Sequence, residues 1–156
     1  MVDAIEVTNK NSVEAAGKQI KIVTFLCNWC SYAGADTAGV ARLKQPYDFR
    51  IIRIPCSGRL NLLYPLRAFF DGADGVLISG CHPGDCHYVE GNYYARRRLE
   101  VLKNFLPFLG IEPDRFKYTW ISATEGIKWQ ETITQFTQRI QELGPLSIKR
   151  KKVDAE

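Results

Sequence analysis

Four short apolar segments alternate with helix-like segments along this chain, and this alternation restricts its fold more than any other feature. The predicted strands are residues 19–26, 49–54, 75–79 and 116–121. Helices are predicted over residues 31–44 and 59–71, then from about Glu90 to Gly110, and finally over a segment with Trp129, Ile133 and Leu143 on one face. Four consecutive β–α units imply a parallel sheet with helices on both faces.

We therefore predict an α/β fold, a flavodoxin-like open parallel sheet of four strands in the order 2-1-3-4. The 156 residues, of which 46% are hydrophobic, suffice for one domain with its own core. Residues 1–18 are polar and aperiodic, and we interpret them as an N-terminal extension. The predicted domain spans residues 19–145, and a charged tail follows over residues 146–156.

Several classes of protein are disfavoured by the composition. No apolar run is long enough to span a bilayer, and the first residues have no hydrophobic signal core, so we expect a cytoplasmic protein without a membrane partner. The net charge of +4 is too small to argue for nucleic-acid binding. The phosphate-binding glycine motifs of nucleotide and dinucleotide sites do not follow the first strand.

Five cysteines carry most of the chemical information in the sequence. A reducing cytoplasm makes metal binding or redox chemistry a better explanation for them than structural disulfides. Three of them lie at the ends of three consecutive predicted strands: Cys27, Cys56 and Cys81. The other two, Cys30 and Cys86, lie in the loops that follow. Because parallel strands end at the same edge of a sheet, all five thiols are predicted to converge where such sheets bind ligands.

Converging thiols are compatible with three kinds of site. A structural zinc ion could take Cys27 and Cys30 as one knuckle and Cys81 and Cys86 as the other, but this domain does not need a metal to build its core. An iron–sulfur cluster uses the same short spacings, which do not decide between 2Fe-2S and 4Fe-4S. A thioredoxin-like dithiol at Cys27 and Cys30 would leave the other three unexplained. The sequence favours the cluster, with zinc as the alternative.

The side chains near these cysteines suggest supporting functions. His82 and His87 flank Cys81 and Cys86, and with five thiols available we expect them to shape the loop rather than bind metal. The N–H groups around Gly58 and Gly84 are candidates for hydrogen bonds to cluster sulfur. Five aromatic residues could cover a cluster or contact a partner protein: Trp29, Tyr32, Tyr88, Tyr93 and Tyr94.

Three segments together resemble the delta subunit of methyl-viologen-reducing hydrogenase: FLCNWCSYAGAD (25–36), RIPCSGR (53–59) and SGCHPGDCHYVEGNYYARRR (79–98). The resemblance covers about residues 19–143. It implies a 2Fe-2S cluster that relays single electrons in an anaerobic, methanogenic metabolism. The implied partners are a hydrogenase or formate dehydrogenase upstream and the flavin-containing A subunit of heterodisulfide reductase downstream. No independent catalysis is expected.

All five cysteines of the family pattern are present, although a 2Fe-2S cluster needs only four thiolates. From the loops we pair Cys27 with Cys30 and Cys81 with Cys86 as metal ligands, which leaves Cys56 as the least certain ligand. The competing hypothesis is a scaffold subunit that is stabilised by zinc and has no redox activity.

Overall fold

The computed structural model describes residues 20–147 as an α/β domain. The predicted extension, residues 1–18, lies outside the described residues, as does the tail from residue 148 onward. No helix within residues 20–147 is long and apolar enough to cross a membrane.

A parallel sheet of four strands forms the centre of the domain, in the order β2-β1-β3-β4. Both the order and the parallel pairing confirm the prediction from the strand–helix alternation. The two central strands are the most apolar and the most buried, since helices cover both of their faces. The strands are β1 (Ile22–Cys27), β2 (Phe49–Ile54), β3 (Gly75–Gly80) and β4 (Phe116–Trp120).

Four α-helices pack on the sheet, two on each face. α1 and α4 share one apolar layer with β1 and β3, and α2 and α3 belong to the layer on the opposite face. Three short 3₁₀ turns, Ser57–Arg59, Leu106–Leu109 and Pro113–Arg115, complete the described secondary structure. The helices are α1 (Ser31–Val40), α2 (Leu63–Phe70), α3 (Gly91–Phe105) and α4 (Gly126–Leu143).

Three helices are shorter than the sequence predicted, each for a local reason. α1 ends at Val40 rather than at residue 44, because Arg42 takes a left-handed φ of 54°. α2 begins at Leu63 rather than at residue 59, since Ser57–Arg59 forms a separate 3₁₀ turn. α3 ends at Phe105, because Pro107 has no N–H to continue the helix, and a 3₁₀ turn carries the chain to residue 109.

The small residues of α1 allow it to approach its neighbours closely. A Cβ on Gly34 would lie 2.7 Å from the Ser122 carbonyl oxygen. On α4, a Cβ on Gly126 would lie 2.9 Å from the Ala38 nitrogen. These contacts bring α1 and α4 side by side over β1, next to the point where β1 ends at Cys27.

Metal-free protein is expected to keep its fold, because both apolar layers form without the cysteines. Fully buried side chains such as Leu99, Leu102, Trp129 and Ile133 hold the helices on the sheet, and the thiols form a separate group at the sheet edge. Far-UV circular dichroism before and after chelation should show most of the helical signal retained. Complete unfolding on metal removal would contradict this and favour a metal-dependent fold.

Candidate functional site

All five cysteines lie together at the carboxyl edge of the sheet, as the parallel topology predicted. Cys27 is the last residue of β1, Cys81 directly follows β3, and Cys56 follows β2 after Pro55. Cys30 and Cys86 reach the same place from the adjoining loops. Four of the thiols are buried, and Cys30 is partly exposed.

Two sulfur–sulfur contacts divide four of these thiols into pairs. The Sγ atoms of Cys27 and Cys81 are 3.5 Å apart, and those of Cys56 and Cys86 are 4.0 Å apart. Two thiolates on one tetrahedral metal ion, with bonds of about 2.3 Å, would be separated by about 3.8 Å. Each pair is therefore spaced like two ligands of one metal atom. Within the described part of the chain, no group of three or more potential ligands meets the geometry of a single-metal site.

Backbone N–H groups point at the sulfur atoms from several directions. The Cys30 amide donates to Cys27 Sγ at 3.4 Å, and the Gly58 amide donates to Cys56 Sγ at 3.4 Å. The His87 backbone amide acts against the rise in the pKa of Cys81 that Cys27 and burial cause. Such donors stabilise thiolate and cluster sulfur. The Gly58 contact fits the expectation that glycine-loop amides would face the site.

The hydrogen bond between Cys27 and Cys81 shifts the pKa values of the two thiols in opposite directions. The hydrogen bond with Cys81 lowers the pKa of Cys27 to about 5, because it and the nearby amides outweigh the effect of burial. The same hydrogen bond, together with burial, raises the pKa of Cys81. Burial also raises the pKa of Cys30 and Cys56. The lowered pKa of Cys27 favours its thiolate, which is the form that binds a metal ion.

A buried pair of hydroxyl groups lies beneath Cys27 and was not predicted from the sequence. Ser79 Oγ donates to Ser31 Oγ at 2.9 Å, and Ser31 Oγ lies 3.9 Å from Cys27 Sγ. Both serines are fully buried. Because Ser31 accepts from Ser79, its own hydroxyl hydrogen is free to point at a Cys27 thiolate. In the sequence, the one indication of this hydroxyl pair is Ser79, a polar residue at the end of an otherwise apolar strand.

Two glycines allow the start of α3 to pack against the Cys56–Cys86 pair. This close approach was not predicted from the sequence either. A Cβ on Gly58 would lie 2.7 Å from both Cα and the carbonyl oxygen of Gly91. A Cβ on Gly91 would overlap Cys56 Sγ and lie 3.2 Å from Cys86 Sγ. The backbone of Gly91 therefore occupies the space beside both sulfur atoms that any other residue would fill.

The two histidines have partners other than the thiols. His82 Nε2 lies 2.6 Å from a carboxylate oxygen of Glu125, which connects the loop after β3 to the start of α4. The His87 ring stacks on Trp29 at 3.8 Å between centroids. Asn92, at the start of α3, also fastens this loop by donating to the carbonyl oxygens of Cys81 and His82. These contacts hold the loop after β3 in place.

The family model for the delta subunit of methyl-viologen-reducing hydrogenase matches residues 22–144 of the 156 residues. The chain belongs to this family. The match contains all five cysteines and every strand and helix described above. The family membership agrees with the resemblance carried by the three cysteine segments.

Related proteins include both separate subunits and part of a larger one. The vhc iron–sulfur D subunit of the F420-non-reducing hydrogenase from Methanococcus voltae is 53% identical over 129 residues, which cover 83% of this chain and 90% of that protein. The iron–sulfur D subunit of the F420-non-reducing hydrogenase from Archaeoglobus profundus is 48% identical over 129 residues, 83% of this chain and 94% of that protein.

A different kind of relative is the A subunit of Ferredoxin:CoB-CoM heterodisulfide reductase from Methanosarcina mazei. It is 45% identical over 131 residues, which cover 84% of this chain but only 16% of that much longer protein. A domain like this one is therefore a small part of one polypeptide in that species.

Proposed function

We propose that this chain is an electron-transfer subunit that carries a 2Fe-2S cluster. It would accept single electrons from a hydrogenase or formate dehydrogenase and pass them to the flavin-containing A subunit of heterodisulfide reductase. The observation that carries the proposal is the convergence of five thiols at one sheet edge, in a family whose relatives are named as iron–sulfur subunits. Those names favour iron over the zinc alternative.

The arrangement of the thiols fits a cluster with two metal atoms. Four of them form two pairs, each spaced for one metal ion, and amide N–H groups surround the sulfur atoms. The sheet and its two apolar layers hold the pairs from three different strands, so the site should change little when its charge changes. When bound, a 2Fe-2S cluster supplies one-electron redox chemistry here. The chain's residues position it and limit its contact with water.

The distances favour a ligand set that differs from the one predicted by loop spacing. Loop spacing pairs Cys27 with Cys30 and Cys81 with Cys86, and makes Cys56 the least certain ligand. In the structure the two closest sulfur contacts join Cys27 to Cys81 and Cys56 to Cys86. The partly exposed Cys30 belongs to neither of these two pairs, although its thiol also interacts with that of Cys81. We propose these two contacts as the ligand pairs, with Cys30 as the additional thiol.

The proposed partners are supported by the two kinds of relative. Separate relatives are named as hydrogenase subunits, whereas two relatives named as A subunits of heterodisulfide reductase contain a similar domain. Domains that form one polypeptide in one species and separate chains in another commonly work side by side, and fusion gives them a high effective concentration. The two sets of names correspond to the donor and acceptor in the proposal.

Anaerobically purified protein is expected to contain about two irons per chain and to bleach on reduction. Metal analysis and visible spectroscopy on the same sample test the cofactor, and a sample with about one zinc and negligible iron would support the zinc scaffold instead. The loaded protein should then couple hydrogen-dependent or formate-dependent reduction to the A subunit of heterodisulfide reductase. If protein without a cluster relays electrons at the same rate, the proposed function is wrong.

A further inference from the structure

A surface recess of about 560 Å³ opens beside the Cys56–Cys86 thiol pair. Cys56 itself lines this recess, together with Gly58 and Arg59 on one side and Val89, Gly91 and Tyr94 on the other. The recess therefore connects the protein surface to one end of the thiol group. An electron carrier needs such a short path, since its redox centre must come close to that of its partner.

Val89, on the edge of this recess, combines an unusual backbone conformation with an exposed side chain. Its φ is +64°, in the left-handed region that β-branched residues rarely adopt, and its side chain is 75% exposed. The Val89 amide holds the turn by donating to the Cys86 carbonyl at 2.8 Å. Strained residues of this kind concentrate at functional sites. Since the Val89 side chain contributes to neither apolar layer, it is available for contact with another molecule.

Tyrosine side chains continue the apolar surface around Val89. Tyr88 is 53% exposed and Tyr94 is 52% exposed, and Tyr94 lines the recess with Val89. Trp29 adjoins them, since its indole N–H donates to the Tyr88 hydroxyl at 3.4 Å. Exposed aromatic residues around a recess are typical of the energetically important centre of a protein–protein interface.

The charge around the recess is mainly positive. Arg59 lies on its wall, and Arg98 donates to the Gly58 carbonyl beneath it. Arg97 lies over the Tyr94 ring, with its guanidinium carbon 6.0 Å from the ring centre. Only Glu90 opposes these arginines on the lining itself, and the Tyr94 hydroxyl donates to it. A surface of this kind attracts a partner that is acidic around an apolar contact.

We propose that this recess is the docking site for the A subunit of heterodisulfide reductase, through an apolar side chain of that protein surrounded by acidic residues. The inference rests on the proposed function and names the face that the acceptor uses. The A subunit is chosen over the hydrogenase because a similar domain shares one polypeptide with it in two relatives, which gives the two a high effective concentration there. In this arrangement the Cys56–Cys86 pair is the part of the thiol group that lies nearest to the A subunit.

Replacing Val89 with glycine separates docking from structure. Glycine adopts a positive φ without strain, so V89G should unfold at the same or a higher temperature than the native protein. Loss of the apolar side chain should weaken binding to the purified A subunit about tenfold. Both are measured anaerobically with the cluster-loaded full chain, by thermal unfolding and by titration calorimetry. The visible spectrum should not change. V101A removes another exposed valine, about 15 Å along α3 from Gly91, and should bind normally.

A charge reversal tests the electrostatic part of the docking site. R59E should weaken binding to the A subunit and reduce its dependence on salt, whereas K103E, near the other end of α3, should leave both unchanged. If V89G and R59E bind as tightly as the native protein, or if K103E weakens binding equally, the docking site is wrong and the proposed function stands. If the native protein neither binds the A subunit nor reduces it, both proposals are wrong.

Discussion

Serine substitutions of the five cysteines are expected to fall into two groups. Replacing Cys27, Cys56, Cys81 or Cys86 should remove most of the bound iron and visible absorbance, because serine oxygen is a poor substitute for thiolate sulfur at iron. C30S should keep about two irons per chain and a nearly native spectrum. The reason is that Cys30 is the one partly exposed thiol and lies outside the two closest sulfur pairs, although it also interacts with Cys81.

The measurement is iron content with visible and electron paramagnetic resonance spectra of each variant, purified anaerobically. Circular dichroism of every variant provides the control for folding, and none should lose its helical signal. Loop spacing predicts a different outcome, in which C56S keeps the cluster. If C30S loses the cluster and C56S keeps it, the pairing by loop spacing is right and the one by distance is wrong.

Much of the fold was predictable because each element is encoded locally. The apolar runs that become β1 and β3 are bounded by cysteine loops, and the helical faces of α3 and α4 repeat every three or four residues. Parallel pairing then follows from the β–α alternation. The helix ends were less predictable, because the left-handed Arg42 and the 3₁₀ turn at Ser57–Arg59 depend on contacts that residue patterns do not report.

The convergence of the thiols was predicted from the sequence, but the pairs that they form were not. A cysteine at the end of each of three strands fixes the edge of the sheet at which the thiols lie. The predicted strand order makes β1 and β3 neighbours and so allows the contact between Cys27 and Cys81, but the ligand pairs were taken from loop spacing, which emphasises Cys27 and Cys30. The buried Ser31–Ser79 hydrogen bond and the Gly58–Gly91 contact join residues far apart in sequence, so no local sequence pattern indicates them.

Replacing Gly91 with alanine is expected to prevent normal cluster binding although the residue has no ligand atom. The new methyl group would overlap Cys56 Sγ and lie 3.2 Å from Cys86 Sγ, so both sulfur atoms, or the start of α3, would have to move. The Gly58 backbone lies on the same side as these sulfur atoms, with its Cα 3.8 Å from the new methyl group, so the methyl group would enter a space that is already closely packed. Misplacement of both ligands of one proposed pair should reduce bound iron to well below half of the native content. The reason is that metal–ligand distances in a stable site vary by only about 0.2 Å.

Gly39 provides a matched control, because a Cβ there would meet nothing within 4 Å. G39A adds the same methyl group within α1, where alanine favours the helix by about 1 kcal/mol over glycine, and should leave iron content unchanged. Iron content, the visible spectrum and the unfolding temperature of the two variants separate a local effect on the site from a general effect on the fold. If G91A binds iron normally with a native spectrum, then α3 moves away from the thiols without consequence, and the close approach of Gly91 is not needed to hold the Cys56–Cys86 pair.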